Sequence, residues 1–182
     1  MEINERELTL LNFYRASELQ GGLILGRLVE HVRDPDLILR LTEHSSEEIM
    51  HAQLWTKTII AVGGRPRPTS DTYQSRYAAA IGTPSSLVEV LALTQVFERG
   101  VYRHFVRHLR RPGTHPLVQA TLRRMLDDER GHLSWVQEWL AGQTGARRLA
   151  IPSLMRRYTA VDARIHAQLL RDYEWDDLAC AS

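Results

Sequence analysis

The chain has 182 residues, enough for one domain with a substantial buried core. Its 43% hydrophobic and 25% charged composition is that of an ordinary globular protein, and a formal net charge of +1 argues neither for nor against a nucleic-acid partner. A single cysteine, Cys180, excludes a disulfide framework and any multi-cysteine zinc or iron–sulfur site within the chain.

The opening MEINERELTLL places acidic residues where a signal peptide carries positive charge. No stretch reaches the roughly 18 uncharged apolar residues of a membrane span. The expectation is a cytoplasmic protein with no membrane partner. Breakers then divide the chain into five predicted helices. The first runs from about Asn4 to His31, with Leu11, Leu25 and Leu28 on its apolar stripe. Asp34–Pro35 reads as an N-cap followed by proline in the first helical position, opening a second helix that Gly63–Gly64 stops. Residues 63–83 are rich in Gly, Pro, Ser and Thr and read as one long connection. Thr83–Pro84 restarts a helix that ends at Arg110–Arg111, before Pro112–Gly113. A fourth begins near His115–Pro116 and ends around Gly142, and a fifth runs from about Pro152 to Asp176–Leu178. Apolar residues recur at three and four rather than two, so nothing reads as a strand. The expected architecture is all-α: a single domain holding a four-helix bundle over about 4–142, with one long crossover between helices 2 and 3, plus a C-terminal fifth helix over about 152–178.

Two Glu-x-x-His motifs, Glu48–His51 and Glu129–His132, accompany two single glutamates, Glu18 and Glu98. Residues three apart share a helix face, so each motif aims one carboxylate and one imidazole at a common point. One such motif means little, because 13 glutamates and eight histidines produce about half a match by chance. Placement is the stronger signal. Glu18 lies 15 residues before the first hairpin turn at Arg33 and Glu48 lies 15 after it. At 1.5 Å per residue, both stand about 22 Å from the turn. Around Gly113, Glu98 and Glu129 lie 15 and 16 residues away. These residues interrupt otherwise apolar stripes, Leu41/His44/Glu48/Ala52/Trp55 among them. Four buried carboxylates at one level would repel and lose hydration, and two divalent cations would offset their charge. Two glutamates plus two Glu-x-x-His pairs form the ligand set of dinuclear iron or manganese sites in helical bundles, and a carboxylate-rich set suits these metals better than structural zinc.

On Glu18, Glu48-Ile-Met-His51, Glu98 and Glu129-Arg-Gly-His132, the chain resembles the ferritin-like diiron-carboxylate superfamily over about residues 4–142, especially its bacterioferritin and rubrerythrin branches. The resemblance implies that Glu48 and Glu129 bridge two iron ions, that Glu18 and Glu98 are terminal ligands, and that His51 and His132 each give one nitrogen. It also implies that Glu47 and Asp128 orient the histidines. Fe/Fe is expected, with Mn/Fe as the other composition. Ile49 stands where bacterioferritin has its haem methionine, so no haem is expected. One cysteine cannot supply a rubredoxin iron, and Val101 replaces the additional glutamate of rubrerythrins.

Trp55 and Tyr102 fall one turn from ligand positions and read as core aromatics beside the centre, with a redox or hydrogen-bonding role as the alternative. Gly21 and Gly22 read as a close helix approach, with space beside the metals as the alternative. His44 reads as a partly exposed structural histidine. Arginine clusters at 99–111, 123–124, 147–148 and 156–157 read as solvated faces, which weighs against nucleic acid. The expected function is a diiron oxidoreductase reacting a reduced centre with O2 or H2O2, using an unidentified small-molecule substrate and electron donor. The longer C-terminal helix would cap the bundle or make a homodimer. The alternatives are ferroxidase-type iron storage or detoxification, hydroxylation of tRNA or a small molecule, and a purely structural bundle.

Overall fold

The computed structural model describes residues 3–173, and among these every regular element is a helix. The six helices are α1 (Glu5–Val29), α2 (Pro35–Ala61), α3 (Tyr73–Ile81), α4 (Leu87–Arg110), α5 (Pro116–Ala141) and α6 (Gly145–Asp172). None is long and apolar enough to cross a membrane. Cys180, and the end of the C-terminal helix expected to reach 176–178, lie outside the described residues.

Local chemistry explains most helix ends. Asn4 Oδ1 accepts from Glu7 N at 2.8 Å, and Asp34 Oδ1 accepts from Asp36 N and Leu37 N, with Pro35 at the first helical position. α2 stops at Gly63, whose φ of +84° suits glycine, and Gly64 N returns to the Ile59 carbonyl at 2.8 Å.

Three expected boundaries are corrected. The segment 63–83 is not a plain connection, because it contains α3. Thr72 and Ser75 cap that helix reciprocally, each side-chain oxygen accepting from the other's backbone N–H at 3.0 Å. Three alanines and a left-handed Gly82 then extend and end it. α4 begins at Leu87 rather than Thr83–Pro84. Ser86 caps the Glu89 N–H, while the Glu89 carboxylate takes the Ser85 N–H at 2.6 Å. That bond holds the Glu89 carboxyl below its ordinary value. Finally, α6 begins at Gly145 and carries Pro152 inside it. Proline's fixed φ fits a helix and removes one backbone hydrogen bond, whereas the preceding Ala-Arg-Arg-Leu-Ala run favours helix strongly.

The chain divides into two compact units, one of residues 1–76 with 115–121 and the other of 77–114 with 122 onward. In the first, α1 and α2 form an antiparallel hairpin. Gly22 meets Ser45, Glu18 meets His51 and Tyr14 meets Trp55, so the contacts run in opposite directions along the two helices. A Cβ on Gly22 would lie 2.9 Å from the Ser45 carbonyl and 2.8 Å from Ile49, so this glycine permits the close approach. Ser45 Oγ donates to the Gly22 carbonyl at 2.7 Å across it. Residues 65–67 return along α1, where the Asn12 carboxamide accepts from Arg67 N at 2.6 Å.

In the second unit, α6 presents Tyr158, Val161, Asp162, Ile165 and Leu169 as one buried face packed on α4. Asp162 is held by Tyr77 Oη at 2.5 Å and by Arg103 at 2.8 Å. A Cβ on Gly100 would lie 2.5 Å from its carboxylate, which makes glycine the residue compatible with this packing. His104 and His166 stack edge-to-face, 5.2 Å between centroids. Burial pushes the His104 imidazole well below its ordinary value, with His166, His108 and Arg107 adding repulsion. Burial also lowers His166, against a raising effect of Asp162 and a lowering one of Arg103 and Arg107.

Both histidines are thus favoured neutral in the fold and take up protons more readily when unfolded. Their stabilising contribution is complete above the unfolded pKa of about 6.5 and declines as pH falls below it. Thermal or urea unfolding between pH 7 and 5 should show stability falling toward acid, by up to about 1.4 kcal/mol per pH unit for each proton. His104→Phe should flatten that slope by roughly one proton; an unchanged slope would contradict the assignment.

Candidate metal centre

Each unit contains one buried Glu-x-x-His pair and one further buried glutamate of the predicted set. In the first unit these are Glu18 on α1 with Glu48 and His51 on α2. In the second they are Glu98 on α4 with Glu129 and His132 on α5. All six are between 1% and 6% exposed, although carboxylates are rarely buried without compensation. Ligand atoms of Glu18, Glu48 and His51 lie within 4.8 Å of one another. His51 Nδ1 stands 3.9 Å from Glu18 Oε2. In the second unit, ligand atoms of Glu98 and His132 lie within 4.8 Å, and His132 Nδ1 is 3.3 Å from Glu129 Oε2.

The donor set fits a divalent cation. Each triad carries two carboxylates, whose charge one divalent ion would balance with the imidazole neutral. One nitrogen and several carboxylate oxygens per ion match the preference of iron or manganese over structural zinc.

The neighbours divide by burial. His44 is not partly exposed but 1% exposed, and its Nε2 lies 3.3 Å from Glu48 Oε1. The apolar stripe that buries Glu48 also carries His44, one turn earlier, inward; its place on Leu41/His44/Glu48 was the available signal. Gln95 was missed in the sequence. It sits one turn before Glu98, 1% exposed, with neither amide atom hydrogen-bonded among the described residues. Trp55 is fully buried and packs on Tyr14 at 5.2 Å, one turn beyond His51, as a core aromatic. Tyr102 is half-buried and receives a hydrogen bond from exposed Arg130. Glu47 is half-buried and Asp128 is exposed. The two glycines beside Glu18 separate in role. Gly22 belongs to the helix crossing, whereas a Cβ on Gly21 would lie 3.0 Å from Glu48 Oε2.

No protein-family model matches the chain, and neither a curated protein nor a solved structure matches it.

Gathering like charges in a buried triad should favour metal over emptiness, which gives a test of opposite signs. At pH 8, Glu48→Gln should raise the melting temperature of metal-free protein by roughly 2–4 °C, the size of a 1 kcal/mol effect in a chain of this length. The same substitution should reduce the stabilisation gained from added Co2+ or Fe2+. Loss of stability under both conditions would assign Glu48 a structural role instead.

Proposed function

We propose that the two triads together hold two iron ions in one ferritin-like four-helix bundle, and that the protein is a diiron-carboxylate oxidoreductase acting on O2 or H2O2. The observation that carries this reading is the repeat: each unit buries one lone glutamate beside one Glu-x-x-His pair. The equal distances of Glu18 and Glu48 from one turn, and the nearly equal ones of Glu98 and Glu129 from the other, support levelling the two glutamates within each hairpin. The single-domain organisation, Fe/Fe in preference to Mn/Fe, and a cytoplasmic location belong to the same proposal.

In this reading Glu18, Glu48 and His51 serve one side of the centre, and Glu98, Glu129 and His132 the other. A reduced iron pair so held would supply electrons to dioxygen or peroxide. The chain's residues do the rest. Four carboxylates balance the charge of two divalent ions and leave both imidazoles neutral. His44, with Nε2 3.3 Å from Glu48 Oε1, would help to restrict that carboxylate's orientation. On α2, Leu41 and Trp55, both fully buried on the face that carries Glu48, would furnish apolar surroundings that limit water.

Anaerobic loading with Fe2+, elemental analysis and size exclusion, followed by an oxygen pulse watched by absorbance, test the proposal. Two irons per chain and rapid oxidation are expected. Glu18→Ala/Glu129→Ala should lose both metal and oxygen reactivity while keeping its helical circular dichroism. Two metals per chain in that double variant would refute the site. A particle of hundreds of kilodaltons that mineralises iron would move the function to storage.

A further inference from the structure

The connection between α2 and α4 reaches back to α1 at Glu18. Thr72 Oγ1 donates to Gln20 Oε1 at 3.1 Å, Tyr73 N donates to Ser17 Oγ at 3.1 Å, and Gln74 Nε2 donates to the Ser17 carbonyl at 3.0 Å. These three consecutive residues therefore grip α1 on both sides of Glu18. Tyr73 reinforces the grip by packing edge-on against Phe13, 4.8 Å between centroids. Ser17 is buried, so its carbonyl and hydroxyl gain partners here that water cannot readily supply.

The same side chain borders Glu48. The point where a Gly21 Cβ would sit lies 3.0 Å from Glu48 Oε2 and 3.3 Å from Gln74 Nε2. Gly21 thus leaves a niche that the carboxylate and the carboxamide enter from two sides. Mid-helix glycine costs roughly 1 kcal/mol relative to alanine, and here the missing methyl is the condition for both groups to approach. The Gln74 Oε1 atom is buried with no hydrogen-bond partner among the described residues. Its carboxamide is oriented by the Ser17 bond made through the nitrogen.

We propose that Gln74 is a positioning residue for the Glu18/Glu48/His51 triad, fixing the α1 segment that carries Glu18 and bounding the Gly21 niche into which Glu48 reaches. It acts through Ser17 and through the volume beside Glu48, and it is not a ligand. The inference rests on the metal-binding reading above for its consequence, since a carboxylate held in one orientation binds a cation without first reorganising.

Co2+ titrations of the wild type, Gln74→Ala, Gly21→Ala and the double variant provide the test, with visible spectra of the bound Co2+ and melting curves beside them. Each single variant should lower affinity by roughly tenfold or more, the usual scale for groups that orient ligands, and should alter the Co2+ spectrum while its metal-free helical circular dichroism stays that of the wild type. In the double variant the added methyl no longer meets the carboxamide and Glu48 can shift. Its loss should therefore be smaller than the product of the single losses. Wild-type affinity in both single variants, or losses that simply multiply, would overturn the proposal. If the wild type binds no Co2+, the metal reading fails, and the positioning claim is judged on metal-free protein. There, Gln74→Ala should displace the Glu48 side-chain carboxyl 13C resonance, and an unmoved resonance would sink it.

Discussion

Burying carboxylates on helices that otherwise face an apolar core is the constraint on which the rest of this structure depends. A glutamate taken out of water loses several kcal/mol of hydration unless something compensates, and each unit takes in two beside one histidine. The helices bear that load beside large apolar residues on the same faces. On α2, Leu41, Trp55 and Ile59 flank the polar stretch and are fully buried.

The second unit shows what compensation by the chain alone looks like. Asp162 is buried too, but Arg103 approaches to 2.8 Å and the Tyr77 hydroxyl to 2.5 Å. One carboxylate meets one guanidinium, whose other side is 62% exposed and keeps its hydration. That arrangement closes in charge and needs no further ligand. The Glu-x-x-His triads are of another kind, grouping buried carboxylates with imidazoles rather than with a guanidinium. Buried charge thus joins α4 to α6 in one place, and in the proposed function it serves in the other to hold a divalent cation.

Much of this was legible in the sequence because helix geometry is rigid. A fixed rise per residue turns equal distances from a turn into equal heights, which is why Glu18 and Glu48 could be levelled on the α1–α2 hairpin before any coordinates. The cap chemistry of Asp34–Pro35 and the stop at Gly63–Gly64 were equally readable, since each is a local interaction. Where local signals competed, the reading failed. Residues 63–83 were judged by their Gly, Pro, Ser and Thr content, and that average concealed the Thr72/Ser75 cap that starts α3. Pro152 was taken as a helix start, although a helix can carry proline where flanking residues favour it and only one bond is lost. His44 and Gln74 illustrate another limit. The burial of the first is set by tertiary packing, and the closeness of the second to Glu18 depends on a connection folding back across more than fifty residues.

That return path changes how the connection itself should be understood. A long segment between helices tolerates variation when it merely spans a distance. Here Thr72, Tyr73 and Gln74 spend their donors on Gln20 and Ser17, and the missing Cβ of Gly21 leaves room for Gln74 beside Glu48. Glycine is poor in a helix interior for reasons of backbone entropy, so its placement opposite a buried carboxylate needs a local cause. Gly22 has one in the crossing with Ser45 and Ile49, but Gly21 faces Glu48 and Gln74 instead. Adjacent glycines thus answer to different demands, helix approach at one and carboxylate geometry at the other, and the connection is part of what determines the second.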